Sequence, residues 1–135
     1  MPAILCDHDV QGHMEVLLSI WTSAEWLELW EMVNCQVHTF RGLGLLANTS
    51  DSELWQLCQE CQFFLVTGNR NADGEDSLET TSRNLNQPDS LPVITIADEK
   101  RLMLDRHYAE RVASQILEIL YQADNVRGTR RLYVP

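Results

Sequence analysis

Four short strand-like runs, separated by segments of helical periodicity, constrain the fold of this chain more than any other feature. The runs are AILC (3–6), CQVHTF (35–40), QFFLVT (62–67) and VITIA (93–97). Each is too short for a helix, and runs of this kind are typical of strands in parallel sheets. The intervening segments repeat apolar residues at helical spacing. This order indicates a mostly parallel sheet covered on both faces, a three-layer α/β/α sandwich.

Capping signals indicate where several of the predicted helices begin. Thr22 with Glu25, and Ser50 with Glu53, have the spacing of a capping box. Asp98 can cap a turn over EKRLML. The predicted helices cover residues 10–21, 26–33, 51–61, 76–86 and 107–123. The segment RRLYV is expected to add a short last strand.

Composition indicates one globular domain over residues 1–135. Hydrophobic residues make up 44% of the chain and charged residues 22%, as in ordinary packed domains. No run approaches the ~20 apolar residues of a membrane span, and the segment MPAILCDHDV lacks the pattern of a secretory signal. The four cysteines do not have the spacing of a secreted mini-protein, so we expect reduced thiols. These features predict a cytoplasmic protein without a membrane span.

Charge is distributed unevenly along the chain. Ten Lys and Arg residues stand against twenty Asp and Glu residues, a net charge of −10. Residues 1–80 hold thirteen acids and two arginines, a net charge of −11, whereas residues 81–135 carry +1 and end in a basic segment. Broad adhesion to nucleic acid is excluded because it requires clustered cations. A local phosphate site that uses a metal ion is not excluded.

Polar residues follow the predicted strands at the carboxyl ends, where parallel sheets bind ligands. Asp7 and Asp9 follow the first strand, Thr67 ends the third, and Asp98 and Glu99 follow the fourth. The loop after the third strand adds Asn69, Asn71, Asp73, Glu75 and Asp76. Converging carboxylates repel one another unless a divalent cation lies among them, and such hard oxygen ligands suit Mg²⁺ or Mn²⁺. A cation of this kind supports phosphodiester hydrolysis.

The same acids have a simpler interpretation as helix caps, because Asp at a strand-to-helix junction commonly accepts helix N–H bonds. For Asp7, which comes directly after a buried strand, we favour the functional interpretation. Asp51 and Glu53 favour the capping interpretation, since a capping box already accounts for Glu53.

Three segments of the chain resemble the small PIN-like proteins, relatives of PIN-domain ribonucleases and of toxin–antitoxin nucleases. The segments are ILCDHDV, NTSDSELWQLC and FFLVTGNRN. The resemblance implies a PIN-like α/β/α sandwich and, by analogy, a divalent-metal nuclease that acts on RNA. It matches Asp7 to the first metal-binding acid of the family and Asp51 or Glu53 to the helix acid. It matches Asn69 and Asn71 to the acids after the third strand.

Asn69 and Asn71 depart from the family pattern, which has Asp at these positions. An amide donates less charge to a cation than a carboxylate does. Asp73 or Asp76, a few residues on, could take over this role. The chain could equally be a degenerate PIN-like module that binds a partner without cutting RNA.

We therefore predict a site for metal-dependent hydrolysis of RNA, with a water activated by the metal as the nucleophile. The predicted catalytic residues are Asp7 and Asp76. The predicted ligands of Mg²⁺ or Mn²⁺ are Asp7, Asp9, Asp73, Asp76 and Asp98. The predicted substrate-binding residues are Thr67, Asn69, Arg70 and Asn71, with Arg83, Arg101 and residues 127–131 as further cations for RNA. The alternative is a catalytically degenerate module, with an antitoxin-like protein or a second copy of the chain as its partner.

Aspartyl phosphatases offer a second enzyme interpretation. Asp7 and Asp9 after one strand, Thr67 after another and Lys100 later in the chain are similar to their pattern. Those enzymes need an acidic pair after the lysine, and no such pair follows Lys100. We therefore disfavour this interpretation.

Two other motifs are predicted to belong to the core. Cys58 and Cys61 form a C-x-x-C, but no second pair follows at zinc-site spacing and the segment is predicted to be helical. The four tryptophans recur at helical spacing, which also indicates core packing. They are Trp21, Trp26, Trp30 and Trp55. An exposed stripe of Trp26 and Trp30 would instead form a dimer or partner face.

Overall fold

The structure, a computed structural model, describes residues 2–68 and 77–135. In these two ranges five strands form a single sheet, and every neighbouring pair in it is parallel. The strands are β1 (Ala3–Cys6), β2 (Gln36–His38), β3 (Phe64–Gly68), β4 (Val93–Ile96) and β5 (Arg131–Val134). Their order across the sheet is β2-β1-β3-β4-β5. The predicted parallel sheet and the last strand are confirmed.

Seven α-helices accompany the sheet in the described ranges. They are α1 (Gln11–Trp21), α2 (Leu27–Val33), α3 (Phe40–Leu43), α4 (Asp51–Cys61), α5 (Leu78–Leu85), α6 (Glu99–Leu104) and α7 (Arg106–Tyr121). Short 3₁₀ turns follow β1 and α7, at His8–Val10 and Ala123–Val126. None of these helices has the length and apolar composition of a membrane span.

The helices form two layers, one on each face of the sheet, because successive side chains of a strand point to opposite faces. Ile4 and Cys6 of β1 belong to a large core that includes residues of α1 and α7. Leu5, between them, belongs to a second core with α4 and with Leu78 at the start of α5. The α/β/α sandwich is confirmed.

The strand order fixes where a ligand site is expected. The chain first places β2 on one side of β1 and then crosses to place β3 on the other side. At such a reversal the connections leave neighbouring strands toward opposite faces, and a crevice opens beyond the carboxyl ends of the two strands. Here those strands are β1 and β3, which lead to Asp7 and Thr67.

Two of the three predicted helix caps are confirmed and one is wrong. The Ser50 hydroxyl accepts the Glu53 N–H at 3.2 Å, and the Asp98 carboxylate accepts the Arg101 N–H at 3.1 Å. Thr22 does not begin a helix, because its hydroxyl donates backward to the Leu18 carbonyl at 2.7 Å. Threonine has both options, and the bond to the carbonyl four residues earlier prevails here.

Two strand boundaries differ from their predictions for local reasons. The strand predicted at residues 35–40 ends at His38, because Thr39 caps α3 by accepting the Gly42 N–H at 3.0 Å. The strand predicted at 62–67 begins only at Phe64. Gln62 terminates α4 with a positive φ of 58°, the left-handed conformation that often ends helices.

The tryptophans pack against the core as predicted. Trp21 is fully buried, and its indole N–H donates to the Ala113 carbonyl at 3.1 Å. Trp30 stacks on Trp21, with ring centroids 4.7 Å apart and planes 5° apart. Trp55 is buried in the second core, and Trp26 is half-buried against the first. The tryptophans therefore stabilise the attachment of helices to both faces of the sheet.

The core prediction for the C-x-x-C motif is correct for one cysteine. Cys58 is buried in the core below α4, whereas Cys61 at the end of that helix is exposed. Cys61 is the last residue of α4, three residues beyond Cys58, and it is exposed to solvent.

Candidate functional site

Asp7 lies at the carboxyl end of β1 with only 4% of its surface exposed. Its backbone N–H donates to the Val66 carbonyl at 2.9 Å, which continues the pairing of β1 with β3. One carboxylate oxygen accepts the His8 N–H at 2.7 Å, and the other accepts the Thr67 hydroxyl at 2.8 Å. Both oxygens are therefore held in place, and the carboxylate has a fixed orientation.

A row of polar side chains extends from Asp7 across the sheet. Cys6 of β1 pairs with Val66 of β3, so the next residues, Asp7 and Thr67, lie side by side. Thr67 pairs with Thr95 of β4. Thr95 pairs with Tyr133 of β5. In parallel strands, paired residues point to the same face, and neighbouring strands lie about 4.8 Å apart. These four side chains, here called the polar row, lie on the face that α4 and α5 cover. The row runs from a buried carboxylate to a phenol that is 57% exposed.

Thr95 is the unusual member of the polar row. It is 1% exposed, and its hydroxyl has no hydrogen-bond partner within the described part of the chain. Leaving a buried hydroxyl unpaired normally costs free energy. The unpaired hydroxyl lies on the strand next to Thr67, whose own hydroxyl donates to Asp7.

Gly68 brings a second acid to the end of β3. A Cβ atom at this position would overlap the carboxyl group of Glu99, so that group would have to move if any residue other than glycine stood here. Glu99 follows β4 but was not among the predicted metal ligands. The sequence places Asp98 and Glu99 equally at the strand end and does not distinguish between them.

The predicted ligands Asp9 and Asp98 are both exposed. Asp98 caps α6, and Asp9 lies in the 3₁₀ turn that follows Asp7. Burial, followed by the negative charges of Asp7 and Asp9, raises the pKa of the Cys6 thiol to about 12. Both carboxylates therefore act electrostatically on the same thiol at the end of β1.

Asp51 connects the beginnings of two helices at this edge of the sheet. It lies in the first turn of α4, and its carboxylate accepts the Leu78 N–H at the start of α5, at 3.1 Å. Ser77 caps α5 by accepting the Thr80 N–H. Glu53, the other candidate for the helix acid, is exposed. Of the two, Asp51 is the one that connects α4 with α5.

Several predicted site residues fall outside the described ranges. They are Asn69, Arg70, Asn71, Asp73 and Asp76, which lie in the sequence between β3 and α5. Their predicted roles stay predictions. Within residues 2–68 and 77–135, no three His, Cys, Asp or Glu side chains are grouped closely enough to hold a metal ion.

The arginines predicted to contact RNA divide into two sets. Arg83, Arg130 and Arg131 converge on the Glu79 carboxylate, at 3.5, 2.9 and 3.3 Å. Glu79 is in the first turn of α5, one residue after the Leu78 N–H that contacts Asp51. The second set has other partners. Arg101 pairs with Asp105 and Arg127 pairs with Asp124.

No protein-family model matches this sequence, and comparisons with curated proteins and solved structures also find no match. The resemblance to PIN-like proteins therefore remains a prediction that rests on the three segments quoted above.

The donor atoms at this edge of the sheet have the chemistry that a hard divalent cation requires. The carboxylate of Asp7 is an anionic oxygen donor in a fixed orientation, and the hydroxyl of Thr67 holds it there. Glu99 supplies a further carboxylate beside the next residue of the same strand, Gly68. Oxygen donors of this type suit Mg²⁺ and Mn²⁺.

Proposed function

We propose that the site around Asp7 hydrolyses phosphodiester bonds of RNA with a divalent cation, Mg²⁺ or Mn²⁺. The observation that carries this proposal is the buried Asp7 carboxylate, which Thr67 holds at the carboxyl ends of two neighbouring parallel strands. This is the position at which sheets of this kind bind ligands. The His8 N–H and the Thr67 hydroxyl both donate to this carboxylate and fix its orientation.

In this proposal, Asp7 holds the cation, and Thr67 and the His8 N–H keep the carboxylate in position. Asp9, Asp73, Asp76 and Asp98 are the further ligands predicted from the sequence. A bound divalent cation polarises a phosphate oxygen and lowers the pKa of a water molecule, which is the chemistry that hydrolysis needs. Asp76 is the second proposed catalytic residue.

Substrate binding is assigned to the arginines around Glu79. Three guanidinium groups beside one carboxylate leave a local excess of positive charge on a chain whose net charge is −10. Arginine binds phosphate in a bidentate manner. Glu79, at the centre of this patch, is in the first turn of α5, and the N–H of the preceding residue, Leu78, donates to Asp51. Because the remainder of the surface repels a polyanion, we expect weak RNA binding that falls steeply with salt.

The test is a titration of Mn²⁺ and Mg²⁺ into purified protein, followed by an assay on mixed-sequence RNA. Asp7→Asn removes the charge that holds the cation, whereas Asp89→Asn makes the same chemical change at an exposed loop residue before β4. We expect wild type and Asp89→Asn to bind the ion and cut RNA, and Asp7→Asn to lose at least about tenfold in both, which is about 1.4 kcal/mol. Equal cleavage by wild type and Asp7→Asn, or no cleavage by either, would overturn the proposal.

A second function, partner binding without cleavage, is favoured by the apolar side chains that α2 exposes. Leu29 and Met32 are 51% and 61% exposed. Asn69 and Asn71, where PIN-like nucleases have Asp, are also compatible with a degenerate site. In the RNA assay this function predicts a folded protein that does not cut, and an antitoxin-like protein is the partner implied by the resemblance.

We place either function in the cytoplasm. Cys6, Cys35, Cys58 and Cys61 are all free. Unpaired cysteines are typical of proteins in reducing compartments.

A further inference from the structure

Helix α2 is attached to the molecule by one side only. Trp26, Trp30 and Val33 pack against the large core, but no residue of α2 is fully buried. On its outer side Leu29 and Met32 are 51% and 61% exposed. Large apolar side chains exposed together on a short helix indicate an interaction surface.

These side chains border a groove of about 410 Å³ between α2 and α7. Its lining is predominantly apolar, with Ser114 and Glu118 as the polar members; the other residues that line it are Trp26, Leu29, Met32, Val33, Leu117 and Tyr121. Tyr121, at the end of α7, is 71% exposed. A groove between two helices with apolar walls is a common binding site for an amphipathic helix, which inserts side chains at i, i+3, i+4 and i+7.

Four glutamates on or beside the two helices that form the groove are here called the acidic rim; of these, Glu118 lines the groove itself. Glu25, Glu28 and Glu31 are exposed along and just before α2, and Glu118 is exposed on α7. Residues 1–40 contain no Lys or Arg. Arg111, three residues before Ser114 on α7, lies near the Tyr108 ring, 5.9 Å from its centroid. The groove therefore combines an apolar floor with a negative border.

We propose that this groove binds an amphipathic helix of a partner protein that carries apolar residues on one face and Lys or Arg at its flanks. The apolar face would fill the floor, and the cations would meet the acidic rim. A second copy of this chain is a poorer occupant, because a symmetric interface would bring the same glutamates against one another. The proposal rests on the second function named above and is independent of cleavage at Asp7.

A labelled helical peptide of Leu and Lys tests the apolar part of the proposal by fluorescence anisotropy. We expect this peptide to bind, and a Leu and Glu peptide of the same pattern, or a scrambled Leu and Lys peptide, to bind at least about tenfold more weakly. Met32→Glu in the groove should weaken binding by about tenfold or more. Leu104→Glu is the matched control, because Leu104 is 87% exposed on α6. Equal binding of the scrambled peptide, or equal loss in both variants, would overturn the proposal.

The acidic rim is tested separately with the triple variant Glu28→Gln, Glu31→Gln and Glu118→Gln. It should weaken the Leu and Lys peptide and make its binding less sensitive to salt, since screening acts on the charge pairs. Unchanged affinity would exclude the proposed partner chemistry.

Sedimentation velocity tests whether a second copy of the chain occupies the groove instead. A dimer that Met32→Glu dissociates would show that it does, and would overturn the proposal. Circular dichroism checks that each variant is folded. Met32→Glu should retain any RNA cleavage, because Met32 lies outside the Asp7 site. A failure of the groove proposal is therefore distinguishable from a failure of the proposal for Asp7.

Discussion

The hydroxyl of Thr67 donates a 2.8 Å hydrogen bond to the carboxylate of Asp7, sixty residues earlier in the chain. Both residues are almost completely buried, with 1% and 4% of their surfaces exposed. They become neighbours only when β3 pairs with β1. The candidate site is therefore formed by the same pairing that forms the centre of the sheet, and changes at Thr67 should affect both stability and the position of Asp7.

Thr67→Val keeps the shape of the side chain and removes the donor to Asp7. We expect a loss of about 1–2 kcal/mol in the free energy of unfolding, since a buried charged acceptor loses one of its hydrogen bonds. Urea unfolding followed by circular dichroism measures this loss. A variant as stable as wild type would show that the Thr67 bond contributes nothing to the folded state.

Thr95→Val is the matched change on the neighbouring strand and should have the opposite sign. The Thr95 hydroxyl is buried and has no hydrogen-bond partner in the described residues, so valine removes a polar group that gains nothing from burial. We expect stability equal to wild type or higher by up to about 1 kcal/mol. A loss as large as that of Thr67→Val would contradict the difference between the two hydroxyls.

Gly68→Ala places a methyl group where the Glu99 carboxyl group lies. Because the glutamate side chain can move, we expect a moderate loss of about 1 kcal/mol, at the lower end of the cost of overpacking. In a Glu99→Ala background the same substitution should cost clearly less, since the space is then empty. A double-mutant cycle with unfolding free energies measures the coupling. Additive effects of the two changes would exclude the contact.

The thiol of Cys6 should make stability dependent on alkaline pH. Burial, together with the charges of Asp7 and Asp9, raises its pKa from 9.0 to about 12. Above pH 9 the unfolded chain loses this proton while the folded protein keeps it, so the stability contributed by the neutral buried thiol decreases as the pH rises from 9 toward 12. Cys6→Ala removes this term. The stability difference between wild type and Cys6→Ala should change by up to about 1.4 kcal/mol per pH unit above pH 9, and parallel pH profiles would contradict it.

Much of the fold could be predicted because its signals are local. The buried strands β1, β3 and β4 are short apolar runs, and Ser50 and Asp98 cap helices where their sequence positions indicate. The order of the strands could not be predicted in the same way. It depends on contacts between distant segments, and the apolar pattern of a strand does not specify its neighbour.

The candidate site shows the same division. Asp7 and Thr67 were both predicted from their positions after buried strands, but the bond between them requires the register of β1 against β3. Asp98 was predicted as a ligand and Glu99 was not, although the two are adjacent. In the folded chain the Asp98 carboxylate caps α6, whereas the Glu99 carboxyl group lies against Gly68 at the end of β3, where the glycine leaves room for it. Neither event is visible in the order of residues alone.

The two cores of the sandwich differ in size, and this difference has a consequence for motion. Among residues 2–68 and 77–135, the core on the α1 and α7 side contains twenty-one buried residues, whereas the core under α4 and α5 contains eight. The layer with fewer buried apolar contacts opens at a lower free energy in the native state. Amide protons of α4 and α5 should therefore exchange with deuterium before those of α7. The polar row lies beneath that layer, so partial opening would expose Thr67 and Thr95 while the opposite half of the molecule stays folded.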